Sequence, residues 1–307
     1  MLDYRLLFPA GYELGTDMKK IATLGPRGTF SETATLRYIT EQSALPADAP
    51  MFPYELAYFS SIERALDAIG AVCEVGVLPI ENFSEGFIPS VLDQLIHADL
   101  KVIGEVILPI RFACVSAVAL QDIQQLFVQF VAKGQCSRFI ESLGTCQIIL
   151  TESNTESLAL ARQSSQPCAA IVPADSANQE TFHTVIENVN DYENNQTRFW
   201  VFAAQHYSET YYAEADYKTS LIVVDEHDHP GFLGEILTSF SRRKINLTSI
   251  ISRPTCTQFG KYHFFIDLDG HYQDPVIAAA LAEIEAISKV KCLGSYLKAR
   301  VLDRSSF

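Results

Sequence analysis

Apolar and polar positions along this chain follow two periods in turn. Short apolar runs bounded by turn residues lie at 21–24, 75–80, 102–108, 112–118, 147–150, 169–172 and 199–203, and each predicts a buried strand. Between them Ile62, Ala65, Leu66 and Ile69 fall at i, i+3, i+4 and i+7, and Ile88, Val91, Leu92, Leu95 and Ile96 repeat that helical spacing. The stretch 121–143 reads as helices, the second opened by Gln135-Cys136-Ser137-Arg138. Thr29 with Glu32 and Ser60 with Glu63 form capping boxes, Thr155 caps a further helix, and Gly70 stops one. Strand and helix alternating in this way predict a parallel, three-layer α/β architecture. The segment after Leu108 forms a second lobe that returns near Thr184, and a cleft between two lobes suits a small molecule.

The pattern changes at the polar, Tyr-rich stretch 205–217, which reads as a linker. Beyond it come a strand at 221–224 and a helix with Pro230 at its first position and Leu233, Ile236, Leu237 and Phe240 on one face. Strands at 245–253 and 262–268, a helix at 274–287 and a strand at 290–297 complete a βαββαβ, ferredoxin-like unit. A unit of roughly 80 residues is marginal alone, and its open sheet edge invites a second copy, so a homodimer or homotetramer is expected. The resulting division is an N-terminal extension at 1–19, a two-lobed domain at 20–204 with its second lobe at about 105–184, a linker at 205–216, and the βαββαβ domain at 217–300.

Composition narrows the classes of function. The 307 residues are 48% apolar, enough to bury more than one core, and no uncharged apolar run approaches the roughly 18 residues of a membrane span. The N-terminus lacks a basic start followed by an apolar segment, so a cytoplasmic protein is expected. Seven cysteines without a CxxC pair read as small buried hydrophobes. The net charge of −14 opposes a nucleic-acid partner. Asp225-Glu226-His227-Asp228-His229 reads as a solvated loop ahead of a helix rather than a metal site, and neither metal nor organic cofactor is expected.

Three polar clusters remain as candidate chemistry. Gly25-Pro26-Arg27-Gly28 before a capped helix leaves backbone N–H groups at a helix N-terminus, an anion-binding geometry. Glu81-Asn82-Phe83-Ser84-Glu85-Gly86 follows a buried strand, at the end where α/β sheets place ligands. The loop from Asn190 runs into the strand at Phe199, which sets Thr197 and Arg198 at the junction.

These clusters, with the trailing βαββαβ unit, resemble the prephenate dehydratases that carry a C-terminal ACT domain, the phenylalanine-sensing module. The likeness covers about residues 20–300. It rests on Leu24-Gly25-Pro26-Arg27-Gly28-Thr29-Phe30-Ser31 with Ala34, Pro79-Ile80-Glu81-Asn82, Glu85-Gly86, Gln135-Cys136-Ser137 and Asn195-Gln196-Thr197-Arg198-Phe199. In the last domain it rests on Pro230-Gly231-x-Leu233, Ile245-Asn246-Leu247-Thr248, Ser252-Arg253-Pro254 and Gly294-Ser295-Tyr296. The resemblance implies a two-lobed, periplasmic-binding-protein-like body that holds prephenate, a dicarboxylate with a ring hydroxyl, and expels carbon dioxide and hydroxide to give phenylpyruvate without a cofactor. It implies catalytic positions at Thr197, Glu81, Asn82 and Gln135, with Thr197 beside the leaving hydroxyl. Substrate contacts fall on Gly28, Thr29, Ser31, Ser84, Arg198 and Phe199. Arg198 has two readings, a bidentate carboxylate contact or a structural ion pair. Asp228, Pro230, Gly231, Phe232 and Leu233, facing Ile251, Ser252, Arg253 and Pro254, would hold phenylalanine as effector.

The chain also departs from the family's pattern. Phe83 stands where a small hydroxyl residue is usual, Val128-Gln129-Phe130-Val131 where Ser-His-Pro-Gln is, Phe112 for a His and Pro173 for a Ser. Phe232 and Ile251 replace an Ala and a Glu of the effector segments. The alternatives are therefore a diverged enzyme, acting on arogenate or decarboxylating prephenate without dehydration, and a ligand-sensing protein without turnover. Phenylalanine binding is expected to be weakened.

Overall fold

A computed structural model describes residues 19–43, 54–177, 182–207, 211–212, 214–224, 229–255 and 259–299. In chain order these form β1 (Lys19–Leu24), α1 (Phe30–Ser43), β2 (Tyr54–Phe59), α2 (Ile62–Ala68), β3 (Val75–Asn82), β4 (Gly86–Phe87), α3 (Pro89–Leu95) and β5 (Leu100–Pro109). There follow β6 (Phe112–Ser116), β7 (Gln125–Gln129), α4 (Phe130–Gln135), α5 (Ser137–Ser142), β8 (Gln147–Thr151), α6 (Asn154–Gln163), β9 (Cys168–Pro173), α7 (Ala174–Ala177) and β10 (Thr184–Glu187). The chain ends with β11 (Gln196–Ala204), β12 (Tyr217–Val224), α8 (Phe232–Ser241), β13 (Leu247–Pro254), β14 (Tyr262–Asp269), α9 (Pro275–Glu285) and β15 (Lys289–Leu297). Lys19, assigned to the extension by pattern, opens β1; the rest of the extension and Asp228 lie outside the described residues.

Among the described residues the strands make three sheets. The first lobe has the order β2-β1-β3-β11-β5 with β4 against β3, and the second lobe β10-β6-β9-β7-β8. The C-terminal βαββαβ domain has β13-β14-β12-β15, the ferredoxin-like order for such a chain. Alternation had predicted parallel sheets, but both lobes are mixed. β1 is parallel to β2 and β3, whereas β11 runs antiparallel to β3 and β5 because the chain returns from the second lobe in the opposite direction. The stretch 121–143 is not all helix either. Leu126, Phe127 and Val128 lie in β7, buried between β8 and β9, where a short apolar run fits a parallel strand as well as a helix. Ser61 and Ser153, not Ser60 and Thr155, cap α2 and α6. Gly231, at φ +99°, is the N-cap of α8, so Pro230 precedes the cap instead of following it. Among the described residues no helix is long and apolar enough to cross a membrane.

Strand β11 organises the interior by simple alternation. Phe199, Val201 and Ala203 join a core that also holds Val77, Ala34 and the second-lobe residues Phe112, Leu126 and Ile171. Trp200 and Phe202 point the other way, into a core shared with Ile222, Phe265, Leu293 and Tyr296 of the C-terminal domain. One strand thus separates the face toward the second lobe from the face toward the C-terminal domain.

The C-terminal domain is docked closely on that second face. Gly294 of β15 lies so near β5 that a Cβ there would come 2.2 Å from the Val102 carbonyl oxygen. Arg253 grips Asp93 of α3 with two bonds, of 2.9 and 2.6 Å. Lys291 donates to the Leu95, Ile96 and Ala98 carbonyls at the C-terminal end of the same helix, where a cation is favoured.

Candidate active site

The geometry begins with one extra residue. In the pairing of β11 with β3, Phe199 faces Pro79 but Arg198 faces Glu81 and Thr197 faces Asn82, so Ile80 is a bulge. Without it, Thr197 would lie opposite Glu81. The bulge reverses the phase of the strand end and brings Asn82 onto the Thr197 side.

Asn82 is the hub of a buried amide network. Its Oδ1 accepts from the backbone N–H groups of Ser84 (2.9 Å) and Glu85 (3.3 Å) and from the Ser84 hydroxyl (2.7 Å). Two backbone donors on that oxygen fix the amide orientation, so Nδ2 faces Thr197 Oγ1 at 2.8 Å. Nδ2 also lies 3.1 Å from Asn195 Oδ1 and 3.2 Å from the Gln196 carbonyl. Gln135 enters from the second lobe: its Nε2 is 3.4 Å from Asn82 Oδ1, and its Oε1 accepts from Asn195 Nδ2 at 2.7 Å. Asn82, Gln135, Asn195 and Thr197 are each 8% exposed or less. A hydroxyl that accepts from an amide keeps its own proton to donate, and accepting one bond strengthens the other. The network thus holds the Thr197 hydroxyl as an acceptor, with its own proton left to donate.

Asn195 was quoted above only as part of a motif. Its place in the network is invisible to spacing, because it sits in an irregular loop; an amide two residues before the hydroxyl was the available signal.

Arg198 faces the other way. Its Nε bonds Glu105 (2.9 Å), its Nη1 Asp267 (2.7 Å) and its Nη2 the Tyr296 hydroxyl (2.8 Å), and its guanidinium lies 5.3 Å from the Trp200 ring centre. Of its two readings the structural ion pair is the one realised. Lys218 also bonds Glu105, at 3.0 Å. The surrounding carboxylates hold the Arg198 guanidinium above its ordinary range against the opposing effect of burial. Glu81 belongs to this face as well, 3.5 Å from Arg198, and burial raises its carboxyl above the ordinary value despite that cation. It does not stand with Thr197, as its motif had suggested. Phe199 is 1% exposed in the core and presents no surface to a ligand.

At the first cluster Gly28 adopts φ +80°. Thr29 Oγ1 donates to the Leu24 carbonyl (3.2 Å) and accepts from Glu32 N (3.4 Å), as a cap should. The Gly28 N–H, expected to await a ligand anion, is bonded by the Glu32 carboxylate, which Tyr58 also engages. Ser31 is buried beneath the loop. Thr155 of the second lobe donates to the Arg27 carbonyl at 3.0 Å, so the two lobes touch here.

Among the departures, Phe112 packs edge-on against Phe30 at 5.4 Å beside Pro173, and Val128 is fully buried. Gln129 caps α4 through the N–H groups of Val131 and Ala132. Phe83 stays exposed, 6.4 Å from the Tyr192 ring centre. Cys73, Cys114, Cys136 and Cys168 are buried thiols; burial pushes Cys114 up to about 12 and raises Cys73 and Cys136 too, which suits none of these three to nucleophilic work. In the C-terminal domain Phe232 is buried between His229 and Phe264, and Ile251 packs toward the first lobe. Arg253 is taken by Asp93, and Leu233 is half-buried. Pro230, Gly231, Ser252 and Pro254 are exposed.

Residues 21–207 match the family model described as prephenate dehydratase, and residues 220–286 match that of the ACT domain. The bifunctional chorismate mutase/prephenate dehydratase of Aquifex aeolicus is 31% identical over 91% of this chain and 74% of its own length. The prephenate dehydratase of Amycolatopsis methanolica is 30% identical over 92% of this chain and 90% of its own. The crystal structure of prephenate dehydratase from Arthrobacter aurescens in complex with L-Phe superposes with a TM-score of 0.75, at 30% identity, over 92% of this chain and 90% of that one.

Proposed function

The chain belongs to the prephenate dehydratase family, and from that premise we propose how its cleft converts prephenate to phenylpyruvate in phenylalanine biosynthesis. The observation that carries the proposal is the bond from Asn82 Nδ2 to Thr197 Oγ1 at 2.8 Å, in an orientation that Ser84 and Glu85 fix.

Prephenate lies between the lobes with its ring hydroxyl against Thr197. The electrons of the bond from the ring to its carboxylate move into the ring, carbon dioxide leaves, and the carbon–oxygen bond on the opposite ring carbon breaks. The departing hydroxide takes a proton from solvent to become water, and the ring becomes aromatic. Aromatisation drives the step, so the protein has to orient the substrate and stabilise the charge that develops on the leaving oxygen. A threonine hydroxyl is a weak acid, and its contribution is an aimed hydrogen bond. Asn82, Gln135 and Asn195 hold that hydroxyl, and Ser84 locks Asn82.

The ACT domain is the regulatory half. The Arthrobacter aurescens relative was crystallised with L-Phe, and the same amino acid is the proposed effector here, held less tightly because Phe232 and Ile251 stand in the effector segments. Assembly into a homodimer or homotetramer proceeds through this domain.

The test is product analysis. Purified protein incubated with prephenate is expected to release carbon dioxide and phenylpyruvate. A product that keeps the ring hydroxyl indicates a decarboxylase, turnover of arogenate in preference to prephenate shifts the substrate, and binding without turnover indicates a sensor.

A further inference from the structure

Gln135 is the last residue of α4 and Ser137 the first of α5, with Cys136 between them at φ −126° and ψ 27°. Cys136 supplies α5 with no side-chain cap. The cap comes from Asp191, 54 residues beyond Ser137 in the chain. One carboxylate oxygen accepts from Ser137 N (3.0 Å) and Ser137 Oγ (2.6 Å), and the other accepts from Arg138 N (2.9 Å). The Asp191 N–H meanwhile donates to the Gln135 carbonyl at 2.8 Å. A negative charge on exposed helix N–H groups is favourable, so this is a strong clamp.

Among the described residues, the clamp grips a residue through which the second lobe joins the Thr197 network. Four residues after Asp191, Asn195 takes the Gln135 side-chain oxygen at 2.7 Å. The loop 191–195 therefore holds Gln135 by its main chain at one end and its amide at the other. The remaining link, Gln135 Nε2 to Asn82 Oδ1, is the longest in the network at 3.4 Å. It is the link that a small rotation of the α4–α5 corner would break.

We propose that Asp191 is a positioning residue for the dehydration: it seats Gln135, and through Gln135 the Asn82–Asn195 pair that aims the Thr197 hydroxyl. The proposal rests on the dehydratase reading given above. Asp191 itself touches no reacting atom.

The test combines kinetics with a readout that needs no turnover. Asp191→Ala is expected to lower kcat on the order of 10²-fold, as a small misplacement in an oriented site does, with KM changed far less. Asp191→Asn keeps a capping oxygen and is expected to recover much of the loss. The double variant Asp191→Ala/Gln135→Ala is expected to be no slower than Gln135→Ala, because the clamp acts through Gln135 alone. Additive losses, or wild-type kcat in Asp191→Ala, overturn the proposal. Side-chain amide resonances of Gln135, identified by their disappearance in Gln135→Ala, are expected to move in Asp191→Ala and to stay in place in a control Ser142→Ala. If wild type yields no phenylpyruvate, the dehydratase reading fails, and these resonances alone decide whether Asp191 seats Gln135; unmoved resonances sink the clamp.

Discussion

Arg198 Nη1 lies 2.7 Å from the Asp267 carboxylate, so the residue next to Thr197 is bound to the ACT domain and not to the cleft. Glu105, with a side chain only 1% exposed, shares Arg198 with Asp267 and takes Lys218 as well. Removing the cation leaves buried carboxylates under-compensated, so Arg198→Met is expected to cost about 3–5 kcal/mol in urea unfolding. Its KM for prephenate should stay close to wild type. A large rise in KM with unchanged stability would instead make Arg198 a substrate ligand.

Gly294 fixes the distance between the ACT domain and the first lobe. A Cβ 2.2 Å from the Val102 carbonyl oxygen cannot be accommodated without moving one backbone from the other. Gly294→Ala is expected to destabilise the protein by at least about 1–3 kcal/mol, as overpacking does, and to speed proteolysis within 205–216. Unchanged denaturation and cleavage would mean that the two domains do not depend on this contact.

His271 gives the ACT domain a pH dependence. Burial lowers its imidazole below the ordinary 6.5, with Asp274 opposing, and Tyr211, Tyr272 and Tyr217 surround the ring at 4.4, 4.5 and 4.7 Å. Its Nδ1 accepts from Gln273 N at 3.1 Å, which requires the neutral ring. The unfolded chain therefore takes the proton first. The stability this group contributes is present above pH 6.5 and is lost as pH falls from there toward the folded value. Between about pH 7.5 and about pH 5.5 the unfolding midpoint is expected to fall more steeply in wild type than in His271→Asn. Equal slopes would remove His271 from the account.

Phe232 and Ile251 bear on regulation. Isothermal titration with L-phenylalanine is expected to give weak heats or none, and phenylpyruvate formation should continue when the amino acid is added. A tight isotherm would show that both substitutions are tolerated by the effector site.

Much of this architecture was readable from apolar spacing, because each buried strand and each one-sided helix carries its own period. The two lobes and the βαββαβ unit follow from it. What escaped depends on phase and on distant partners. Thr197 and Arg198 are neighbours in sequence, yet a strand sends them to opposite faces, and only the pairing with β3 tells which face meets the second lobe. The bulge at Ile80 chooses Asn82 over Glu81, and no residue type announces it. The strand β7 hid in a run short enough for either element. Glu32 in the first turn of α1 supplies the anion that the Gly28 N–H had been expected to take from a ligand. Asp191 caps a helix from 54 residues away, a relation that no local motif encodes.

The most direct measurement is the rate of phenylpyruvate formation from saturating prephenate by wild type, Thr197→Ser and Thr197→Ala, with melting curves to show that all three are folded. Wild type is expected to turn over, Thr197→Ser to keep much of the rate because its hydroxyl can still accept from Asn82, and Thr197→Ala to lose about 10²–10⁴-fold in kcat. A folded Thr197→Ala that makes phenylpyruvate at the wild-type rate would contradict the account at its centre.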